Sequence, residues 1–322
     1  MAISIGSEHA FATRTNRLRG STIREMLKET QRSDVISLAG GLPAPEPLPA
    51  VAEATRRVLE RDGAASLQYS VSEGIPQLRA WVAARLAARG ARVSSDDVLI
   101  VGGSQQALDL VARGGTRSAE ASLSDAQFSK SDRRAARSRT AREDRRDLRT
   151  VPAPLLAHET DCTMLYCGTA SKIVAPGLRI AWLVIRDEAV RDKIIPAKQA
   201  TGLHTGSFAQ CVFTELVADA SFLSAHIAEI RALYSPRRDV MAAAMHDDMP
   251  AGVTFKAPAG GMFFWAKLPT AIDSEQLFVP GRAFYPHRDR GNGVRLNFSN
   301  AADDAIRTGI GRLARAIREV GG

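Results

Sequence analysis

Apolar positions along this chain recur with two different periods. Val98-Leu-Ile-Val101, Met164 to Cys167 and the run 178–185 are continuous apolar stretches, the pattern of strands in a sheet covered on both faces. Between and after them the spacing turns helical. Amphipathic helices are predicted over 48–62 and 76–89; in the second, Leu78, Trp81, Val82 and Leu86 share one face and Gly90 ends it. A further helix is predicted over Thr22–Gln31. A long helical region covers 187–246, with Pro196 and Pro236 as kinks or breaks. Strands are expected over 252–268 and 294–298. A last helix from Asp303 to Val320 places Ile306, Ile310, Leu313 and Ile317 on one side. Strands alternating with helices make this an α/β chain. The expected organisation is an arm and helix over 1–38, a large domain over 39–230 and a smaller C-terminal domain over 231–322.

One stretch breaks the pattern. Residues 113–149 hold 11 Arg and Lys against 6 Asp and Glu, so they supply 5 of the chain's net +8 charges. Their apolar residues are sparse and mostly alanine, and Arg133 to Arg149 contains eight arginines. Such sequence buries little surface and is expected to be disordered or a solvated helix; the anomalous region runs from about 112 to 160. The basic balance therefore does not signal a nucleic-acid reader. No aromatic is interleaved with these arginines, and charge alone implies only non-specific attraction.

The remaining composition is that of a globular protein: 45% hydrophobic and 24% charged residues over a length that allows one large and one smaller domain. Cys162, Cys167 and Cys211 form neither a disulfide framework nor a plausible zinc set. No apolar run reaches membrane-spanning length. The first residues lack the basic-then-apolar order of a secretory signal, so a cytoplasmic location is expected.

Candidate chemistry concentrates in two places. In Leu165-Tyr-Cys-Gly-Thr-Ala-Ser-Lys-Ile-Val-Ala-Pro-Gly-Leu-Arg179, a lysine stands in a loop between two apolar strands. Partial desolvation there would lower its pKa and make a neutral amine available toward an aldehyde. Thr169 and Ser171 add hydroxyls and Arg179 a forked cation, a set that suits a phosphate group. Lysine beside a phosphate clamp is what pyridoxal 5′-phosphate requires. The second place is Val98-Leu-Ile-Val-Gly-Gly-Ser-Gln-Gln106, where a strand, two glycines and a serine lead into helical spacing. Free backbone N–H groups and the positive helix end would there face a phosphate dianion.

Together with further segments these runs resemble fold-type-I pyridoxal-phosphate aminotransferases of class I/II. The resemblance is to the 2-aminoadipate and aromatic aminotransferase branch, which is related to the effector domain of MocR-type regulators. The segments are Ser21-Thr-Ile-Arg-Glu-Met-Leu27, Ile36 to Pro43, Leu67-Gln-Tyr-Ser-Val-Ser-Glu-Gly74, Val101 to Leu110, the Lys172 loop, Ala197-Lys-Gln-Ala-Thr-Gly-Leu-His-Thr205, Pro258 to Trp265, Phe278 to Gly281 and Val294 to Ser299. They occur in the family's order and cover roughly residues 10–111 and 163–320. The resemblance implies a large domain with a mainly parallel sheet, truncated here, and a smaller α/β C-terminal domain.

It also implies roles. Lys172 would be the Schiff-base lysine and proton shuttle of a transamination between an amino acid and a 2-oxo acid. Ser104, Gln105, Thr169, Ser171 and Arg179 would hold the cofactor phosphate, and Tyr69 would reach the phosphate of the neighbouring subunit of a homodimer. Arg295 would pair with the substrate α-carboxylate, Gly40 would let the backbone approach the substrate, and Arg24 matches a position that can meet an acidic side chain. Asp144, in Arg142-Glu-Asp-Arg-Arg-Asp-Leu-Arg149, is a candidate partner for the ring nitrogen.

The sequence departs from the family between Leu110 and Leu165, where 54 residues stand in place of several strands and helices of the large domain. No asparagine occurs between Asn16 and Asn292, and no tyrosine between Tyr69 and Tyr166. The family's asparagine to the cofactor hydroxyl and its Asp-x-x-Tyr pair are therefore missing. A second, smaller gap falls at Gln276-Leu277-Phe278. Two other readings stay open: a remnant that keeps the scaffold without turnover, and a regulatory domain of the MocR type.

Overall fold

The computed structural model describes residues 32, 34–48, 50–114, 153–158, 164–274 and 292–321. Arg24, Asp144 and the predicted helix Thr22–Gln31 lie outside the described residues, as do residues 115–152 of the arginine-rich segment. Two compact units are present: a large one, Pro43–Leu233, and a small one that joins the segment ending at Leu42 to the chain from Tyr234 onward.

The large unit is built on a three-stranded sheet, β1 (Val98–Val101), β2 (Leu165–Thr169) and β3 (Ala181–Ile185), in the order β1-β3-β2. Both pairings are antiparallel, Val98 to Val184 on one side of β3 and Leu165 to Ile185 on the other. The outer strands β1 and β2 are consequently parallel to each other. All five residues of central β3 are buried, which explains its unbroken apolar run. Trp182 and Val184 face helices α1 (Ala50–Ser66), α2 (Pro76–Ala87) and α5 (Ser207–Ala218), through Val58, Leu78, Val82 and Phe213. Ala181, Leu183 and Ile185 face α3 (Ser104–Gly114) and α4 (Glu188–Gly202), through Ala107, Leu110 and Ile194. From the anomalous segment, Leu156 is buried in the first of these cores.

Strand β3 begins three residues later than its apolar run. Pro176–Leu178 form a single 3-10 turn, capped by Arg179 in the left-handed conformation (φ 53°, ψ 42°). The long helical region also divides differently from expectation. Pro196 lies inside α4 and Pro236 inside α6 (Phe222–Asp248). The breaks fall at Leu203, which is left-handed (φ 52°), and at Asp219, whose side chain accepts from Ser221 N at 2.8 Å. Local capping and a positive φ, rather than proline, end these helices.

The small unit carries an antiparallel sheet, β4 (Thr254–Phe255), β5 (Phe263–Lys267) and β6 (Gly293–Asn297), in chain order. Helix α7 (Asp303–Gly321) buries Ile306, Ile310, Ala314 and Ile317. Ala314 takes the place expected for Leu313, which is only half-buried. Phe264 packs edge-on against Phe298 at 5.8 Å in the core of this unit. Among the described residues, no single helix is long and apolar enough to cross a membrane, and no group of three or more His, Cys, Asp or Glu side chains could hold a metal ion.

Candidate active site

Two loops at one end of the large unit's sheet, more than seventy residues apart in sequence, meet at Gly103. Strand β1 ends at Val101, and Gly103 turns the chain with φ +102° so that α3 can start at Ser104. That φ favours glycine, and the space does too. A Cβ on Gly103 would lie 2.2 Å from Nη2 of Arg179 and 2.9 Å from its Cζ. The Arg179 guanidinium thus covers the Gly103 α-carbon, and Nη2 also donates to Gly102 O at 3.3 Å. Gln106 reaches back from the first turn of α3 so that its Oε1 accepts from Gly102 N at 2.6 Å. A left-handed non-glycine residue at this place is backbone strain at a candidate site.

The loop after β2 supplies the other wall. Ala170 N donates to Ile180 O at 3.0 Å and closes the ladder beyond Thr169. Thr169 Oγ1 accepts from Ser171 N at 3.1 Å and lies 3.0 Å from Ser171 Oγ. Ser171 is buried at 9% exposure. Lys172 stands next to it in a tight turn whose following residues anchor it: Ile173 N and Val174 N both donate to Ala170 O, and Val174 and Ala175 are buried. Lys172 itself is half-buried.

The structure brings together Gly103, Ser104, Arg179, Thr169, Ser171 and the Lys172 turn on one side of the large unit. Gln105 is exposed on the first turn of α3, next to Gln106, which contacts Gly102 N. Tyr69 is 78% exposed and packs edge-on against His204, with ring centroids 5.5 Å apart. It stands among exposed Leu67 and Val71.

Arg295 and Gly40 lie in the small unit. The Arg295 guanidinium sits over the Phe263 ring, 4.0 Å from its centroid. Burial pushes its pKa down to about 10, which still leaves it a cation at neutral pH. Gly40 is buried between two anchor points on the end of β6: Asn297 N donates to Leu38 O at 2.7 Å, and Ser299 Oγ donates to Leu42 O at 2.8 Å.

Four polar side chains not singled out from the sequence complete the frame around β1. Besides Gln106 they are Lys198, Thr205 and Gln210. Thr205 Oγ1 donates to Ile100 O at 3.1 Å, and Gln210 spans Ile75 N (2.9 Å) and Thr205 O (2.7 Å). Two of them, Lys198 and Thr205, fall in the Ala197–Thr205 run, where no local pattern marks either as buried.

The chain is similar to known aminotransferases in sequence and fold. The class I and II aminotransferase family model matches residues 131–301. Aromatic-amino-acid aminotransferase 1 of Thermococcus litoralis is 32% identical, covering 99% of this chain and 96% of its own. The 2-aminoadipate transaminase of Thermus thermophilus is 31% identical, covering 96% of each. Among solved structures, a kynurenine aminotransferase of Pyrococcus horikoshii, in complex with PMP, is similar with a TM-score of 0.79 and 30% identity over 96% of this chain and 97% of that one. Helix-turn-helix regulators match over only about half of the chain. The alignment with the Thermococcus litoralis protein spans 403 positions, 81 more than the 322 residues of this chain. The relative therefore has internal sequence that this chain lacks.

Proposed function

Since the chain belongs to the class I and II aminotransferase family, we propose that it transfers an amino group between an amino acid and a 2-oxo acid with pyridoxal 5′-phosphate held at the Gly103 end of the sheet. The observation that carries this reading is the close contact of the Arg179 guanidinium with Gly103, which leaves no space for a Cβ. A dianion there meets the N-terminal amides of an eleven-residue helix, a forked guanidinium and the Thr169–Ser171 hydroxyls, so the residues present fit the phosphate end of the cofactor.

When bound, the pyridoxal ring supplies an electron sink for negative charge developing at the amino acid's α-carbon. The chain's own residues do the rest. Ser104, Gln105, Thr169, Ser171 and Arg179 would fix the phosphate and so the position of everything attached to it. Lys172 Nζ, one residue from Ser171, moves the proton that leaves the α-carbon, a positioned amine acting as general base and then general acid. Arg295 would take the α-carboxylate with both arms of its fork, and the Phe263 ring face against it favours its charged form. Gly40, without a side chain, would let the backbone approach the substrate. Tyr69 would serve the neighbouring subunit of a cytoplasmic homodimer, which accounts for its exposure. Asp144 would meet the ring nitrogen and Arg24 an acidic substrate side chain. The named relatives act on aromatic and 2-aminoadipate-type substrates, and we place the substrate of this chain in that range.

A second reading, a scaffold that binds the cofactor with much reduced turnover, is favoured by the internal sequence missing relative to the relatives. The absence of the asparagine that the resemblance implies points the same way. A visible absorption spectrum with added pyridoxal phosphate, before and after borohydride, alongside Lys172→Ala, separates the two. A Lys172-dependent band that shifts on adding an amino acid supports transamination. A band that ignores amino acids supports the scaffold. No band from folded protein would overturn both.

A further inference from the structure

Lys198 on α4 has no exposed surface, and among the described residues it is the one charged side chain so completely enclosed. Its Nζ donates to the backbone oxygen of Ser72. Among the described residues Glu73, beside that oxygen, is the one ionisable group that acts on it. A buried ammonium with one carbonyl partner is costly, so the arrangement needs a return.

The return is visible in what Ser72 joins. From Glu73 onward the segment is fastened by neutral hydrogen bonds: Ile100 N donates to Glu73 O at 2.8 Å, Gly74 N to Val71 O at 3.1 Å, and Ile75 N to Gln210 Oε1 at 2.9 Å. Gly74, with φ +105°, is pressed so close to Ile100 that a Cβ would come within 2.4 Å of its Cγ1. Before Ser72 the chain is exposed, at 69% for Leu67, 78% for Tyr69 and 53% for Val71. Apart from the local turn bond to Val71 O and the edge contact of the Tyr69 ring with His204, Ser72 is where the segment that carries Tyr69 is tied to the large unit, and Lys198 is what ties it.

We infer that Lys198 is a positioning residue that sets, through Ser72 O, where the Leu67–Val71 segment leaves the large unit and hence where Tyr69 is presented. The role of Tyr69 toward a neighbour's phosphate rests on the proposed function; the clamp does not. Burial pushes the Lys198 pKa down to about 8, with Glu73 opposing. A neutral amine donates a weaker hydrogen bond than an ammonium, so the hold loosens as pH rises past that value.

The test is amide exchange of Gly74 and Ile75, corrected for intrinsic rates, from pH 6.5 to 9.5 in wild type and Lys198→Met, with pyridoxal phosphate affinity from fluorescence quenching of the same samples. Loss of a charge-assisted bond predicts protection lower by about tenfold in Lys198→Met. The cofactor dissociation constant should rise in parallel. Wild type should lose protection through about pH 8, and the variant should show no such transition. If Lys198→Met does not fold, the wild-type transition alone decides. Protection that is unchanged in the variant, or flat with pH in wild type, overturns the inference. Tyr69→Phe distinguishes the two layers: unchanged cofactor affinity there, with protection still dependent on Lys198, supports the clamp and overturns only the assignment of Tyr69.

Discussion

The guanidinium of Arg179 lies against the α-carbon of Gly103, so close that any side chain at 103 would have to displace it. Each residue explains the oddity of the other. Gly103 takes a φ that other residues avoid and offers no Cβ, while Arg179 adopts a left-handed conformation to lay its fork across that gap. Neither residue would hold its place for packing alone, since the contact joins an exposed arginine to a turn at the mouth of a helix.

Gly103→Ala should therefore cost more than its size suggests. The backbone cost is about 1 kcal/mol, read as a small fall in Tm. The displaced guanidinium should weaken pyridoxal phosphate binding by at least about tenfold, measured by fluorescence titration. An alanine variant with wild-type affinity would mean that the cofactor phosphate does not sit here.

Arg179→Lys keeps the charge and loses the fork. Cofactor affinity should drop by about tenfold with little change in Tm, because a single ammonium cannot reproduce two parallel N–H donors. Equal affinities would reduce Arg179 to a point charge.

Lys172→Ala should leave the fold intact, since its neighbours Val174 and Ala175 rather than Lys172 are buried. Turnover should fall by about 10² to 10⁴, the range for a positioned proton carrier. Circular dichroism and single-turnover absorbance of amino acid with bound cofactor check the two halves. Retained turnover would remove Lys172 from the chemistry.

Arg295→Lys should raise KM for the amino acid by about tenfold with a smaller change in kcat, because the bidentate pairing and the stacking on Phe263 are lost together. A fall in kcat at constant KM would point to a role away from the ground-state carboxylate.

Lys198 also makes stability depend on pH in a defined direction. Its pKa is lowered from 10.5 to about 8 in the folded protein, so between these values the unfolded chain binds the proton and the folded one does not. Stability should rise with pH across that window, by about 1.4 kcal/mol per unit of difference at most. Global stability and the local hold on Ser72 thus move oppositely, one gaining from the lost desolvation and the other losing its charge. Urea unfolding at pH 7.5, 8.5 and 9.5 should show the rise in wild type and not in Lys198→Met.

Much of this protein is legible in one dimension. The unbroken apolar runs of β1 and β3 foretell burial on both faces, and the 3.6-residue spacing of Leu78, Val82 and Leu86 foretells the inner face of α2. The Gly-Gly-Ser and Ser-Lys loops announce phosphate and amine chemistry separately, because glycine, hydroxyls and a lone lysine are local signals of turn and donor chemistry. Sequence periodicity does not say which loops meet. The antiparallel insertion of β3 between β1 and β2 carries Arg179 back onto Gly102 and Gly103, a long-range pairing that no local spacing encodes. The same holds for Lys198, which reads as an ordinary lysine on a helix until the fold encloses it and leaves Ser72 O as its partner. Residue types and turns thus come from short-range backbone sterics and periodic burial; the contact of Arg179 with Gly103 and the clamp come from strand order, which is decided only when the whole core is packed.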